Sequence, residues 1–252
     1  METSMHTIYF PSSRNLFIWL NMLMMLVGLF FLGWRPVIIV FAYVFETIII
    51  GIIHLFKLWM VYRYGQAQRN TPVSKDPRQM NGWGIIPFFL VHYFFFIFVQ
   101  SVFIFSTVGK GLPGLPSDGF NVLANYRFLL SQTDMQLAFA SIAIANLAYS
   151  IRNFFIPQRY HVYTLTGLFM QPYIRIFVQQ LVAILAGFFF FFADGAMVAA
   201  VLLIFTRFAL DLYLFAVKYN PLVQQKLINR ITQDGKLKNI RISPQQIDLL
   251  LE

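Results

Sequence analysis

An all-α bundle of transmembrane helices is the fold this sequence predicts, and three observations predict it. Only 12% of its 252 residues are charged while 58% are hydrophobic, about half the charged share of a soluble domain. The apolar residues gather into stretches of about 18 or more, the length a bilayer core demands. Several ionisable side chains nevertheless sit deep inside those stretches, where a charge costs about 2.5–3.5 kcal/mol and has to face a partner or a wet cavity.

Six spans are predicted, at roughly 15–34, 36–62, 84–107, 134–155, 172–194 and 196–218. The first is long for a signal-peptide core and is followed by no small-x-small cleavage site, so it reads as retained. Pro36 and Pro172 suit the first turns of the second and fifth spans, where a missing N–H is harmless. Trp34, Trp59 and Trp83 lie near span ends, as interfacial tryptophans do. The loop at about 108–133 carries Gly109, Gly111, Pro113, Gly114, Pro116 and Gly119 and reads as irregular; Phe120, Leu123 and Phe128 lean it on the membrane surface. The chain thus divides into a membrane domain, 1–218, and a basic tail, 219–252. Within the tail a short helix to about Thr232, a turn at Asp234-Gly235 and a last helix capped by Ser243 and opened by Pro244 are predicted.

Charge sets the orientation. With the N-terminus inside, thirteen basic residues fall on the inner side: Arg14, Arg63, Arg69, Lys75, Arg78, Arg152, Arg159 and the six from Lys218 onward. Three fall outside (Arg35, Lys110, Arg127) and three within spans. Both termini are therefore expected in the cytoplasm by the positive-inside rule, in what reads as a bacterial inner membrane. The net charge of +9 is placed to meet anionic lipid at that face rather than nucleic acid, with docking of a protein partner on the tail as the other reading. The absence of cysteine excludes disulfides, thiolate metal ligands and cysteine nucleophiles. The small-xxx-small step from Ala196 to Ala200 allows a homodimer.

The buried ionisable residues are the candidate site. Glu46, His54 and Lys57 fall within about 80° of arc on the second span, as do His92 and Gln100 on the third. On the sixth, Arg207 and Asp211 are an i,i+4 pair; on the fifth, Arg175 and Gln179 share a stripe beside Gln180. At 1.5 Å per residue, six of these residues from four helices occupy a slab about 10–15 Å thick. One buried polar cluster, open if anywhere to the cytoplasm, is the expectation. Each residue has a plainer role available: a structural ion pair for Arg207–Asp211, interfacial anchoring for Lys57 and Arg175, and packing for His54 or His92. Glu46 has no basic neighbour three or four residues away, so it needs a partner on another helix, a cation or a proton. His54 and His92, at similar depth on antiparallel helices, together with Glu46 form the weakly marked candidate set for a metal ion or haem. No GxSxG, HExxH, Walker or Rossmann pattern accompanies them, and no catalytic residue can be singled out.

Glu46 to Gly51 followed by Lys57, the run Pro87–Tyr93, Asn153-Phe154 and Gln171–Ile176 resemble a family of polytopic bacterial membrane proteins catalogued as a domain of unknown function. The resemblance covers about 36–218. It implies histidines at the positions of Gln100, Asn146 and Gln180, a match at His92, and an Asn at the position of His54. Amides bind transition metals poorly but preserve size and hydrogen bonding, so the pocket would persist here without its metal. The polar cluster then comprises Glu46, His54, Lys57, His92, Gln100, Asn146, Arg175, Gln179, Gln180, Arg207 and Asp211. A small transporter or an ion- or proton-coupled membrane protein is the first functional expectation, a non-catalytic scaffold the second, and a metal- or haem-dependent membrane enzyme the third.

Overall fold

The computed structural model describes residues 10–13, 15–66, 82–115, 118–169, 171–173, 176–177, 184, 187–188, 196–220 and 223. Among them the chain is helical and contains no strand. The predicted tail elements, most of the fifth span, and Arg175, Gln179 and Gln180 lie outside the described residues.

The first helix, α1 (Leu16–Phe30), is entered through a knot of hydrogen bonds. The buried Asn15 side chain accepts the Ser12 N–H at 2.7 Å and donates to the Phe10 carbonyl at 3.0 Å. At fifteen residues α1 rises about 22 Å, short of a full bilayer core, although the sequence predicts a span to residue 34. The helix stops early because its last turn widens. The Leu32 N–H reaches the Val27 carbonyl and the Trp34 N–H reaches that of Gly28, with Gly33 at φ +66° making the reversal. This folds Trp34 back onto Gly28, where any Cβ would collide with the indole. Trp34 is consequently buried in the core and not turned to lipid; Trp59 and Trp83 are exposed.

Arg35 is extended and Pro36 opens α2 (Pro36–Tyr64) in its first turn, as the sequence predicts, because proline there forfeits no hydrogen bond. Every residue from Val37 to Thr47 is buried, which makes α2 the central helix. It packs against α3 (Ile85–Thr107), α5 (Thr133–Ser150) and α6 (Ala196–Tyr219), while α1 lies against α5 and α6. The Pro36–Tyr64, Gly82–Thr107 and Met197–Val217 segments are each long and apolar enough to cross a membrane. A short helix α4 (Val122–Leu130) joins α5 at a bend of 93°, and the two together make a fourth candidate crossing if counted as one broken span. Large apolar side chains such as Val91 and Ile144 point outward, as a lipid-facing surface requires.

At the mouth where α2 begins, Arg35 grips Asp134 with Nε and Nη2 at 2.9 and 3.0 Å and reaches Gln132 at 3.0 Å. The Asp134 hydrogen bond holds the Arg35 guanidinium above its usual range. At the opposite end α5 loosens into a π turn, Ile151–Phe155. The chain then reverses through Gln158, a left-handed residue at φ 53°.

Helical structure resumes over residues 165–169 and 171–173. Thr164 caps it, its Oγ1 accepting the Gly167 N–H at 3.3 Å, in the N-cap geometry that satisfies a first-turn donor. Pro172 is therefore preceded by helical residues and does not open the segment. Two apolar cores follow from this arrangement. One gathers α1, the first half of α2, α5 and α6 around Ile38, Phe41, Met135 and Ile204. The other gathers the second half of α2, α3, Tyr163, Leu165 and Ile176 around Leu58, Phe89, Tyr93 and Leu168.

Candidate functional site

Glu46 sits in the first half of α2 and is 2% exposed. Its Oε1 accepts from two other helices. Arg207 Nη2 on α6 donates at 2.8 Å, and Asn146 Nδ2 on α5 donates at 3.2 Å while its second hydrogen goes to the Ile142 carbonyl. Arg207, 4% exposed, also holds Asp211 one turn on, Nε to Oδ2 at 3.3 Å. One guanidinium therefore stands between two carboxylates, and Tyr43, one turn before Glu46, shares their field. An arginine fork presents a different nitrogen to each acid, Nη2 to Glu46 and Nε to Asp211, where an ammonium would have one nitrogen for both.

The centre is incompletely satisfied. Among the described residues, Glu46 Oε2 and both Nε and Nη1 of Arg207 have no hydrogen-bond partner, so the Asp211 contact is an ion pair without a hydrogen bond. Buried polar groups in folded proteins are ordinarily bonded, and exceptions cluster where function or water intervenes. The sequence-level requirement that Glu46 find a partner on another helix is met by Arg207, and Arg207–Asp211 is the i,i+4 pair read from spacing. Asn146, singled out by the resemblance alone, lands beside them.

The histidines go elsewhere. His54 lies eight residues beyond Glu46 on α2, about 12 Å along the axis, and its Nε2 donates to the Leu168 carbonyl at 2.9 Å. That carbonyl belongs to the residue four before Pro172, the one to which a proline cannot donate. His54 supplies the missing donor. His92 on α3 pairs through Nδ1 with the Tyr173 hydroxyl at 2.9 Å and stacks on Phe88. Both imidazoles thus fasten the same segment to the bundle. Lys57 is buried with its ammonium 5.0 Å above the Phe154 ring. Gln100 is buried on α3.

The expected single cluster therefore separates into an acid–arginine centre and a histidine–proline junction. The physical reason is length: Glu46 to Lys57 share one stripe of α2 but span about 16 Å of its axis, so they meet different neighbours. Among the described residues no three His, Asp or Glu side chains gather closely enough to hold a metal ion. His54, His92 and Glu46 do not come together as one such set, since the carboxylate lies two turns of α2 from His54.

Two polar contacts were not singled out from the sequence. Tyr93, fully buried, donates to the Thr47 carbonyl at 2.9 Å, and Gly51 makes room for its ring. Ser101 donates to the Ile97 carbonyl, so the Tyr126 hydroxyl must donate to Ser101 Oγ at 2.6 Å. Gly51 in an otherwise branched run is the one sequence signal that marks a close approach.

These features define a helical protein with several helices able to cross a membrane and a charged centre buried where three of them meet. The chain belongs to the family of unknown function DUF6498, whose model matches residues 4–230. No curated protein and no solved structure matches it.

Proposed function

We propose that the chain is a multi-pass membrane protein, a small transporter or ion- or proton-coupled protein, in which Glu46 carries the proton or small cation. One observation supports this most: a carboxylate oxygen of Glu46 is buried with no partner among the described residues, beside an arginine already shared with Asp211. The Glu46 carboxylate thus shares its arginine with a second acid and keeps one oxygen that Arg207 and Asn146 do not occupy. That oxygen is where a proton or a monovalent cation would bind and leave. Six spans with both termini in the cytoplasm of a bacterial inner membrane agree with the basic residues concentrated on one side.

The test is flux in proteoliposomes containing a trapped pH-sensitive or cation-sensitive dye. Wild-type protein is expected to dissipate an imposed H⁺, Na⁺ or K⁺ gradient, and Glu46→Gln to lose that flux while still purifying as a folded species. Equal flux from both proteins, or none from the wild type with any of the three ions, refutes the reading. The latter outcome would leave a scaffold, in which the Glu46–Arg207 contact serves only to fasten α2 to α6.

A further inference from the structure

The segment between α3 and α5 is placed where a surface loop would not be. α4 meets α5 at 93°, so if α5 runs along the membrane normal, α4 runs in the membrane plane. Its contacts fix its depth. Tyr126 bonds Ser101 and packs edge-on against Phe45 and Phe105. Ser101 lies six residues, about 9 Å, before the end of α3, and Phe45 nine residues, about 14 Å, after the start of α2. Just before the helix, Gly119 is buried so close to the Ser106 hydroxyl that a Cβ would collide with it. A helix resting on top of the bundle in water would touch the helix ends; this one touches residues well inside them.

Its two sides differ. Asn125 and Leu129 are fully buried toward the bundle, and Asn125 closes the loop by donating to the Asp118 carbonyl at 3.0 Å. On the opposite side Leu123, Arg127 and Leu130 fall within about 60° of arc, and all three are exposed, with Phe120 beside them at 73%. Large apolar groups flanking one cation, on a helix lying in the plane at this depth, suit the boundary between headgroups and acyl chains. An arginine there can lay its stem on lipid and put its guanidinium among phosphates.

We propose that α4 is an in-plane helix embedded in one leaflet, Phe120, Leu123 and Leu130 resting in the acyl boundary and Arg127 engaging phospholipid phosphate. The proposal rests on the membrane reading above and adds a lipid-binding face at the end of the bundle where α2 begins. That face covers the outer approach to the buried centre, because the Tyr126 side chain extends inward from α4 to Phe45, the neighbour of Glu46.

The chain contains no cysteine, so single-cysteine variants take a nitroxide label at one position only. Full-length Leu123→Cys and Phe120→Cys, both altered at exposed positions, are labelled and reconstituted in phosphatidylcholine–phosphatidylglycerol vesicles. Collisions with oxygen and with a neutral nickel chelate are then compared by power-saturation EPR, with Val91→Cys on α3 as the reference. The expected result is oxygen collisions exceeding nickel collisions several-fold at all three positions, with positions 120 and 123 shallower than 91. Nickel dominating at 120 and 123 while oxygen dominates at 91 overturns the in-plane helix and leaves the membrane reading standing. Nickel dominating everywhere overturns the membrane reading itself. Labels at 120 and 123 reached by neither reagent would mean that a protein surface covers the face, which also overturns the proposal. For the phosphate contact, Arg127→Gln is expected to weaken the dipolar relaxation of the nitroxide at 123 by lipids carrying a gadolinium chelate on the headgroup; unchanged relaxation removes that part.

Discussion

Removing the Arg207 guanidinium should do far more damage than removing the Glu46 charge, although both belong to one contact. At 2.8 Å and an effective dielectric of about 20, the pair attracts with roughly 6 kcal/mol. Burying each ion costs several kcal/mol, so the intact pair contributes little net stability. Breaking it is another matter. Arg207→Met strands two carboxylates, Glu46 and Asp211, with no guanidinium between them, and removal of one partner from a buried pair costs about 3–5 kcal/mol. Glu46→Gln leaves Arg207 its Asp211 contact at 3.3 Å and keeps a side chain that can accept from Asn146. Its cost is that of a weakened charge-assisted hydrogen bond, about 1.5–3 kcal/mol at most. The double variant should be less destabilised than the sum, because the second substitution removes a charge that the first had stranded; contacting residues in such networks couple by about 0.5–3 kcal/mol. The assay is equilibrium unfolding in mixed detergent–SDS micelles, following tryptophan fluorescence. Additive effects within about 0.5 kcal/mol, or an Arg207→Met variant no worse than Glu46→Gln, would refute a direct coupling of α2 to α6 through this contact.

Two further outcomes follow from single contacts. Gly51→Ala should destabilise by about 1–3 kcal/mol, the usual cost of overpacking, because the added Cβ meets a Tyr93 ring that is fully buried and held through its hydroxyl; a thermal melt equal to that of the wild type would show that Tyr93 can shift. His54→Leu should cost about 1–3 kcal/mol by leaving the Leu168 carbonyl without a donor, and Pro172→Ala should largely suppress that cost by returning a backbone N–H to the same carbonyl. Equal cost of His54→Leu in both backgrounds, measured by the same unfolding assay, would separate the histidine from the proline.

What the sequence made legible was whatever is encoded within one helix. Pro36 at a first turn, the i,i+4 pairing of Arg207 with Asp211, and the apolar lengths of α2, α3 and α6 all follow from local spacing. So did the inference that Glu46 needs a partner from another helix. Which helix supplies it did not follow, because Arg207 lies 161 residues away and spacing carries no information about bundle order. The same limit hid both histidine contacts, which reach 114 and 81 residues along the chain. Pro172 misled for a different reason. A proline in an apolar run reads as a helix start, and here a threonine cap eight residues earlier had already begun one.

The position of Pro172 inside a helical segment bears on what the histidines are for. Imidazoles inside a membrane segment invite a ligand or proton role, yet His54 is matched to a backbone defect that the sequence itself creates at Pro172. A donor fixed on a carbonyl four residues before a proline has a structural use whatever its protonation state. Glu46 has no equivalent: its second oxygen lacks a bonded partner among the described residues, and no backbone defect calls for it. The distinction between the two groups is therefore one of satisfaction rather than depth. Both are buried on the same stripe of one helix, and the carboxylate keeps an oxygen that no described residue bonds.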